Sequence, residues 1–516
     1  KKCYIGIPVR LTFTGDTGDD DVPLLNYGVT DAFRAFPLSS IFTTFQATIN
    51  NLTLSTPLND VFPYLARFQS CNDEEIRYYS TIPCFQDQSQ EYADLIGTLI
   101  NPLGGYPGSS IPHQQKRGEY PIQFISNTRT QAVIEAFLFE PFFLSPFLMK
   151  GEREPGFFGV QNFTVNITID SKIDRIWSHV TLPSLNNAFT SISVNIGGFL
   201  SAFPFAYSQP TLFVKYAKPN VTIPIDIPSY SPYYLIDRYP TSMGIIQPGT
   251  IFRDFTSQNI QLGSIPKRMY IFARRSNLTR TYETTDTFAV ISNISITWDT
   301  RSGLLSSASM KDLYDMSVKN GLQMSWIQFS GINILNNPNE PSVPTIGSII
   351  CVDFGEDIGL PLHQAPGMTG TYQLMVKVSG INPSTQPIDY VLYVIIISEG
   401  IFYTQNLTAY SATGTVTSSD IVNSENLMVY NIEHNTFYGS GIFDLIKTGI
   451  GKAHLIAYVG HFPVRLVGPY ELHRTAVLWG QVLDFQGACT ALAAEGVNIY
   501  YVFFYKEVHE NVLYFA

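Results

Sequence analysis

The stretch Phe163-Thr-Val-Asn-Ile-Thr-Ile-Asp170 alternates apolar and polar residues without a break. A period of two sets one face of a strand on a core and turns the other toward water or a neighbouring surface. The same alternation recurs in Ser191-Ile-Ser-Val-Asn-Ile196, in Asn293-Ile-Ser-Ile-Thr-Trp298 and in Tyr372-Gln-Leu-Met-Val-Lys-Val378, where Met375 is the one lapse. Phe45-Gln-Ala-Thr-Ile-Asn50 is a weaker example. Clusters of turn residues separate these segments, among them Gly104-Gly-Tyr-Pro-Gly108, Asn336-Asn-Pro-Asn339 and Asn382-Pro-Ser384. Many short strands, long irregular loops and almost no helical repeat predict an all-β chain of sandwiches or barrels.

Three segments depart from the alternation. Ser309-Met-Lys-Asp312 is a capping box, and Leu313-Tyr-Asp-Met-Ser-Val-Lys-Asn320 continues it as a helix that Gly321 stops in the left-handed region. Gly441 to Gly449 is a second, short helical candidate, with Ile442, Phe443 and Ile446 on one face. The apolar run Tyr390 to Ser398, bracketed by Asp389 and Glu399, is less than half the length of a spanning helix and reads as a strand buried on both faces. With no signal peptide read at Lys1, the chain is expected to be soluble. Gly197-Gly198 followed by Pro204, Pro210 and Pro219 marks a boundary near 205 to 222. The expected organisation is one sandwich over 1–205, a second over 206–410, and a C-terminal arm or extension over 411–516.

The composition suits a protein whose surface meets other subunits, and equally a Phe-rich secreted β-protein. Of 516 residues, 45% are hydrophobic and 14% aromatic, while only 14% are charged, against roughly 25% in an average soluble chain. The net charge is -11 and no Lys/Arg-rich run occurs, so no direct sequence-specific nucleic-acid binding is expected. Cys3, Cys71, Cys84, Cys351 and Cys489 are sparse and lack a C-x-x-C pair, which argues against a disulfide scaffold and a structural zinc site.

Catalytic signatures are absent: the sequence holds no G-x-S-x-G, H-E-x-x-H or Walker loop. Thr448-Gly-Ile-Gly-Lys-Ala453 lacks both the leading Gly and the Ser/Thr of a phosphate loop. The eight histidines include no i, i+4 pair. Asp16-Thr-Gly-Asp19-Asp20-Asp21 could offer calcium its oxygens, but its spacing is not that of an EF-hand, and a solvated loop tip is the expected role. Seven N-x-S/T sequons, at Asn51, Asn162, Asn166, Asn220, Asn277, Asn293 and Asn406, fall largely where strand-surface Asn and Thr are simply common. No catalytic, cofactor-binding or metal-binding residue is assigned, and the expectation is a non-enzyme.

Several motifs, taken in order, resemble the major capsid proteins of polinton-like viruses and virophages. Ser264-Ile-Pro-Lys-Arg-Met-Tyr-Ile-Phe-Ala-Arg-Arg275 is similar to a second-domain strand signature of that family. It is followed by Thr285-Asp-Thr-Phe288, Ile294 to Leu305, Asp312 to Gly321, Trp326, Gly347-Ser-Ile-Ile-Cys-Val-Asp353, Ala365 to Leu374 and Leu392 to Gly400. In the first half, Glu140-Pro-Phe-Phe-Leu-Ser-Pro-Phe147 resembles the corresponding motif. The resemblance implies two tandem eight-stranded jelly rolls, with the short helix in a loop of the second. It also implies a homotrimer forming a pseudo-hexameric capsomer of an icosahedral DNA-virus capsid. The partners implied are neighbouring capsomers, penton and minor capsid proteins, and the location is the virion, assembled inside the infected cell. The alternative readings are a trimeric viral spike or carbohydrate-binding attachment protein, which would normally show repeats or a coiled-coil stalk, and a jelly-roll enzyme, either a cupin with clustered metal ligands or a glycan-cleaving enzyme with two facing carboxylates.

Overall fold

The computed structural model describes residues 4–16, 23–27, 30–68, 122–147, 158–179, 189–197, 209–214, 229–333, 343–344, 346–361 and 363–417, together with six short strands beyond them. The chain divides into two compact units, Lys1–Leu360 with Ala365–Thr415, and Pro361–Gln364 with Val416–Ala516.

The first unit opens with β1 (Tyr4–Thr14), β2 (Asp31–Phe33), β3 (Phe42–Ile49), β4 (Leu52–Thr56), β5 (Ile122–Asn127), β6 (Gln131–Pro141), β7 (Phe163–Ile169), β8 (Trp177–His179), β9 (Ser191–Ile196) and β10 (Thr211–Phe213). β6 pairs with the whole of β1, so β9 and β10, which pair with Val9–Thr14 and Tyr4–Gly6, share the opposite edge of β1 in series. β5 flanks β6, and the sheet is four positions wide. The facing sheet is β4-β3-β7, with β2 and β8 as a separate pair. Alternation on β1 buries Ile5, Ile7, Val9, Leu11 and Phe13, and on β3 it buries Phe45, Ala47 and Ile49, all within one hydrophobic core. Because β10 pairs with Tyr4–Gly6 of β1, the first sandwich reaches at least Phe213, which lies within the 205–222 stretch read as the boundary. Pro210 immediately precedes this short edge strand, a position at which a missing amide is tolerated.

The second sandwich comprises β11 (Ser229–Ile246), β12 (Ile251–Thr256), β13 (Ile260–Ser264), β14 (Arg268–Arg275), β15 (Val290–Trp298), β16 (Arg301–Leu304), the short ribbon β17 (Ile332–Asn333) with β18 (Val343–Pro344), β19 (Ile350–Asp353), β20 (Thr369–Ile381), β21 (Ile388–Gln405) and β22 (Thr408–Thr413). β11 pairs along all of β21, which leaves β14 and β22 in series on its other edge, with β19 beyond β14. In the facing sheet β12 and β13 share one edge of β20, while β15 and then β16 lie on the other. Each sheet is thus four positions wide.

Among the described residues four α-helices interrupt the strands: α1 (Pro37–Ile41), α2 (Leu58–Leu65), α3 (Met310–Lys319) and α4 (Trp326–Ser330). α3 carries the expected box: the Asp312 amide donates to Ser309 Oγ at 3.3 Å and the Ser309 amide to Asp312 Oδ2 at 2.8 Å. Gly321 follows at φ 104°. The helix covers the outer edge of β19, where the Cys351 amide donates to Ser317 Oγ (3.1 Å) and the Cys351 carbonyl accepts from Asn320 Nδ2 (3.3 Å). An open strand edge is thereby closed. α4 has a second capping box, Ser325 with Gln328, and a left-handed Gly331 at φ 82°.

In the second unit three ribbons are described: β23 (Val429–Asn431) with β24 (Thr436–Tyr438), β25 (Ala457–Val459) with β26 (Phe462–Val464), and β27 (Phe503–Lys506) with β28 (Asn511–Tyr514). The helix expected over 441–449 lies outside the described residues.

Candidate functional site, a buried charged seam and exposed apolar edges

Within the sheet of β11, β21, β14 and β19, the strands β14 and β19 and the middle of β21, Leu392 to Ile396, are buried on both faces, and the register shows how. Met269, Ile271 and Ala273 of β14 lie beside Ile396, Val394 and Leu392 of β21 on the face toward the sandwich core. Tyr270, Phe272 and Arg274, beside Ile395, Tyr393 and Val391, turn toward the first sandwich. There Phe68 meets Tyr270 with ring centroids 4.8 Å apart, and Tyr64 of α2 meets Phe272 at 4.5 Å and Phe288 at 5.4 Å. This second buried face is why Tyr390 to Ser398 carries no polar alternation.

Charge lies within the same contact. Arg34, Arg67, Arg175, Arg274 and Arg280 are each about 1% exposed, and Asp60 and Asp286 are buried among them. Asp286 is shared by Arg34 (3.3 Å), Arg175 (3.4 Å) and Arg280, while its carbonyl accepts from Arg67 Nη2 at 3.1 Å. Asp60 takes Arg274 and the half-exposed Arg238, and accepts from Asn277 Nδ2 at 3.1 Å. Arg34 Nη2 also donates to the carbonyls of Thr281 and Thr284, both at 2.6 Å. Arg274 donates to Tyr393 Oη at 2.9 Å, and its guanidinium carbon lies 4.3 Å from the Tyr393 ring centroid. Arg34, Asp60, Arg67 and Arg175 come from the first sandwich and Arg238, Arg274, Arg280 and Asp286 from the second, so each carboxylate binds guanidiniums across the seam. The α3 loop joins in: the Gln323 amide donates to the Arg67 carbonyl at 2.9 Å.

Such a network is expensive to desolvate and expensive to break, so it specifies one arrangement of the two sandwiches rather than adding to their burial. Composition could not reveal it, because Arg274 and Arg280 read locally as an ordinary strand end and turn.

Elsewhere, Glu140 of the first-half motif accepts from the amides of Leu38 (2.6 Å) and Ser39 (2.9 Å) and from Ser39 Oγ (2.6 Å). It caps α1, whose own N-cap Phe36 makes no side-chain hydrogen bond. Burial pushes its carboxyl up to about 7 despite these three donors.

The residues weighed for chemistry are scattered. His179 is buried with Nδ1 2.8 Å from Asp31 Oδ1, which Trp177 Nε1 also engages at 3.2 Å; His363 is exposed. The other six histidines, Asp19–Asp21, and Cys3, Cys71, Cys84 and Cys489 lie outside the described residues. Cys351 is buried and free, its thiol pushed up to about 12 by burial. Among the described residues no three His, Cys, Asp or Glu side chains gather as a metal site requires, and no helix is long and apolar enough to cross a membrane. Of the sequons, Asn277 has its amide locked into the seam, and Asn293 Nδ2 donates to the Ser306 carbonyl at 3.0 Å.

Apolar side chains remain exposed at sheet margins and on turns: Phe124 and Ile125 on edge strand β5, Ile245 and Ile251 around the β11–β12 turn, Tyr410 on β22, and Leu278, 81% exposed.

The sequence matches two family models, "Sputnik virophage major capsid protein 1st domain" over residues 7–216 and "Major capsid protein V20 C-terminal domain" over residues 238–400. It is 29% identical over 474 residues to the putative capsid protein V20 of Sputnik virophage, covering 88% of this chain and 77% of that protein. A chain in the cryo-EM structure of the Sputnik virophage is 30% identical, with a TM-score of 0.72 over 82% of this chain and 84% of that one. The mavirus major capsid protein, at 15% identity and a TM-score of 0.62 over 81% of this chain and 85% of its own, shares the fold.

Proposed function

Since this chain belongs to the virophage major capsid protein family and is a structural subunit of a viral capsid, we propose that it assembles as a homotrimer whose six sandwiches make a pseudo-hexameric capsomer. We divide the first unit into two jelly rolls, the first through Phe213 and the second from Ser229 to Thr413. The observation that carries the proposal is the seam: two sandwiches of similar size are clamped by buried cross-seam ion pairs within one compact unit. A threefold oligomer can occupy a sixfold lattice position only if the two rolls of each copy are held at a constant relative orientation. The exposed apolar residues at the sheet margins supply surface for the trimer and for neighbouring capsomers, where an obligate interface buries on the order of 2,000 Å² or more.

The role is non-enzymatic. Penton and minor capsid proteins are the further partners, the place is the virion shell, and assembly occurs inside the infected cell. Negative-stain electron microscopy of the purified chain tests this reading. Trimers of hexagonal outline, or shells tiled from them, are expected; a solution of dispersed monomers at high concentration would overturn it.

A further inference from the structure

The seam holds more buried donors than its own acceptors meet. Arg175 is about 1% exposed, and of its three guanidinium nitrogens only Nη2 has a partner, Asp286; Nε and Nη1 are buried with no hydrogen bond. The Tyr64 hydroxyl and Arg274 Nε are likewise buried without a hydrogen bond. The nearby carboxylates are already divided, Asp286 among Arg34, Arg175 and Arg280, and Asp60 between Arg274 and Arg238. The half-buried Asp170 lies within electrostatic reach of Arg175 but turns its oxygens to Asn59, Ser171 and the Lys172 amide.

A buried guanidinium with unmet N–H groups costs several kcal/mol unless countercharge reaches it. We propose that Arg175 and Tyr64 bind a small inorganic anion, a halide or an oxyanion such as phosphate, inside the seam between the two sandwiches. Arg274 and Arg280 add positive potential around it. The ligand is anionic because the unmet atoms of Arg175 and Arg274 are cationic donors and the Tyr64 hydroxyl can donate beside them; it is small because the seam is closed by packed aromatic rings, Tyr64 on Phe272 and Phe288. The electrostatics point the same way. Burial, then Arg34, hold the Arg175 guanidinium down to about 9. Although burial raises the Tyr64 phenol, Arg274, Arg280, Arg175 and Arg67 together hold it below its ordinary value. The arginine field on Tyr64 describes a place that favours negative charge. A bound anion would make the clamp conditional, tightening the two rolls where the ion is present.

The test uses the full chain, dialysed into sodium gluconate and melted at constant ionic strength while gluconate is exchanged for chloride or for phosphate. A saturable rise in Tm with chloride identifies a halide and one with phosphate an oxyanion. Bromide-soaked crystals are expected to show an anomalous peak beside Arg175 in the halide case. Arg175→Met is expected to flatten the titration. Should that variant fail to fold, Tyr64→Phe keeps the ring contacts and loses only the hydroxyl, and its half-saturation concentration should rise about tenfold. The proposal is overturned if gluconate, chloride and phosphate give one curve, if neither variant changes the titration, or if a tyrosinate band at neutral pH shows Tyr64 itself to be the countercharge.

Discussion

Glu140 shows what burial does to a single carboxyl. It titrates at about 7 in the folded protein against an ordinary 4.5, so between those values the folded chain binds more protons than the unfolded one. The associated stability, about 3 kcal/mol, is fully present below the lower value and is lost as pH rises through the upper. Thermal melting from acid to neutral pH is expected to show this fall, and Glu140→Gln to remove it from the difference curve. Asp286 is the opposite case, a carboxylate ion-paired with three arginines. Asp286→Ala strands those cations in the seam and is expected to cost about 3–5 kcal/mol in urea unfolding. Lys319→Ala, which breaks an exposed pair with Glu356, should leave the midpoint unchanged. Cys351 sits behind α3 with its thiol pushed up to about 12; peptide mapping after alkylation of the native protein should find it unmodified, and modified after unfolding.

At the scale of elements, the α3 excursion was legible because its signals are local. A Ser hydroxyl, an acidic residue three positions on and a terminal glycine specify a helix without reference to the rest of the chain. Ser309→Ala is expected to cost about 1 kcal/mol. Gly321→Ala should cost about 1–2 kcal/mol, since φ 104° disfavours a Cβ, which would also lie 3.3 Å from the Phe68 carbonyl. Denaturation midpoints of the two variants check both values. The α4 box, Ser325 to Gln328, has the same signal in a helix of five residues and passed unread, because so short a helix shows no apolar period. α1 and α2 have no such local signature. α1 is capped from a distance by Glu140, and α2 contains Pro63 and is buried along its whole length, so tertiary contact rather than propensity makes them helices.

Across the whole molecule, the seam predicts that the two sandwiches unfold together. Calorimetry of the first unit within the full chain is expected to give one transition for both rolls, and Asp60→Asn, which removes the charge facing Arg274, to split it in two. Independent melting of the rolls in the unaltered protein would remove the rigid clamp on which the capsomer geometry relies. The tandem arrangement itself was readable from strand spacing and from the proline-rich boundary. The short strand β10 was not, because it is three residues long and is a strand only by virtue of pairing with β1.

Period-two alternation determined by itself that this chain is made of half-buried strands, since each side chain's face follows from backbone geometry alone. A charged fraction of 14% is low for a soluble chain and did not by itself decide between a surface covered by other subunits and a Phe-rich secreted β-protein. What only the tertiary structure decided is where five arginines go. Arg34, Arg67, Arg175, Arg274 and Arg280 lie far apart in sequence or in unremarkable turns, and a guanidinium is read as surface by default. Burying one requires partners from the other sandwich, and a pairing across some two hundred residues is a property of the folded chain that no local window contains.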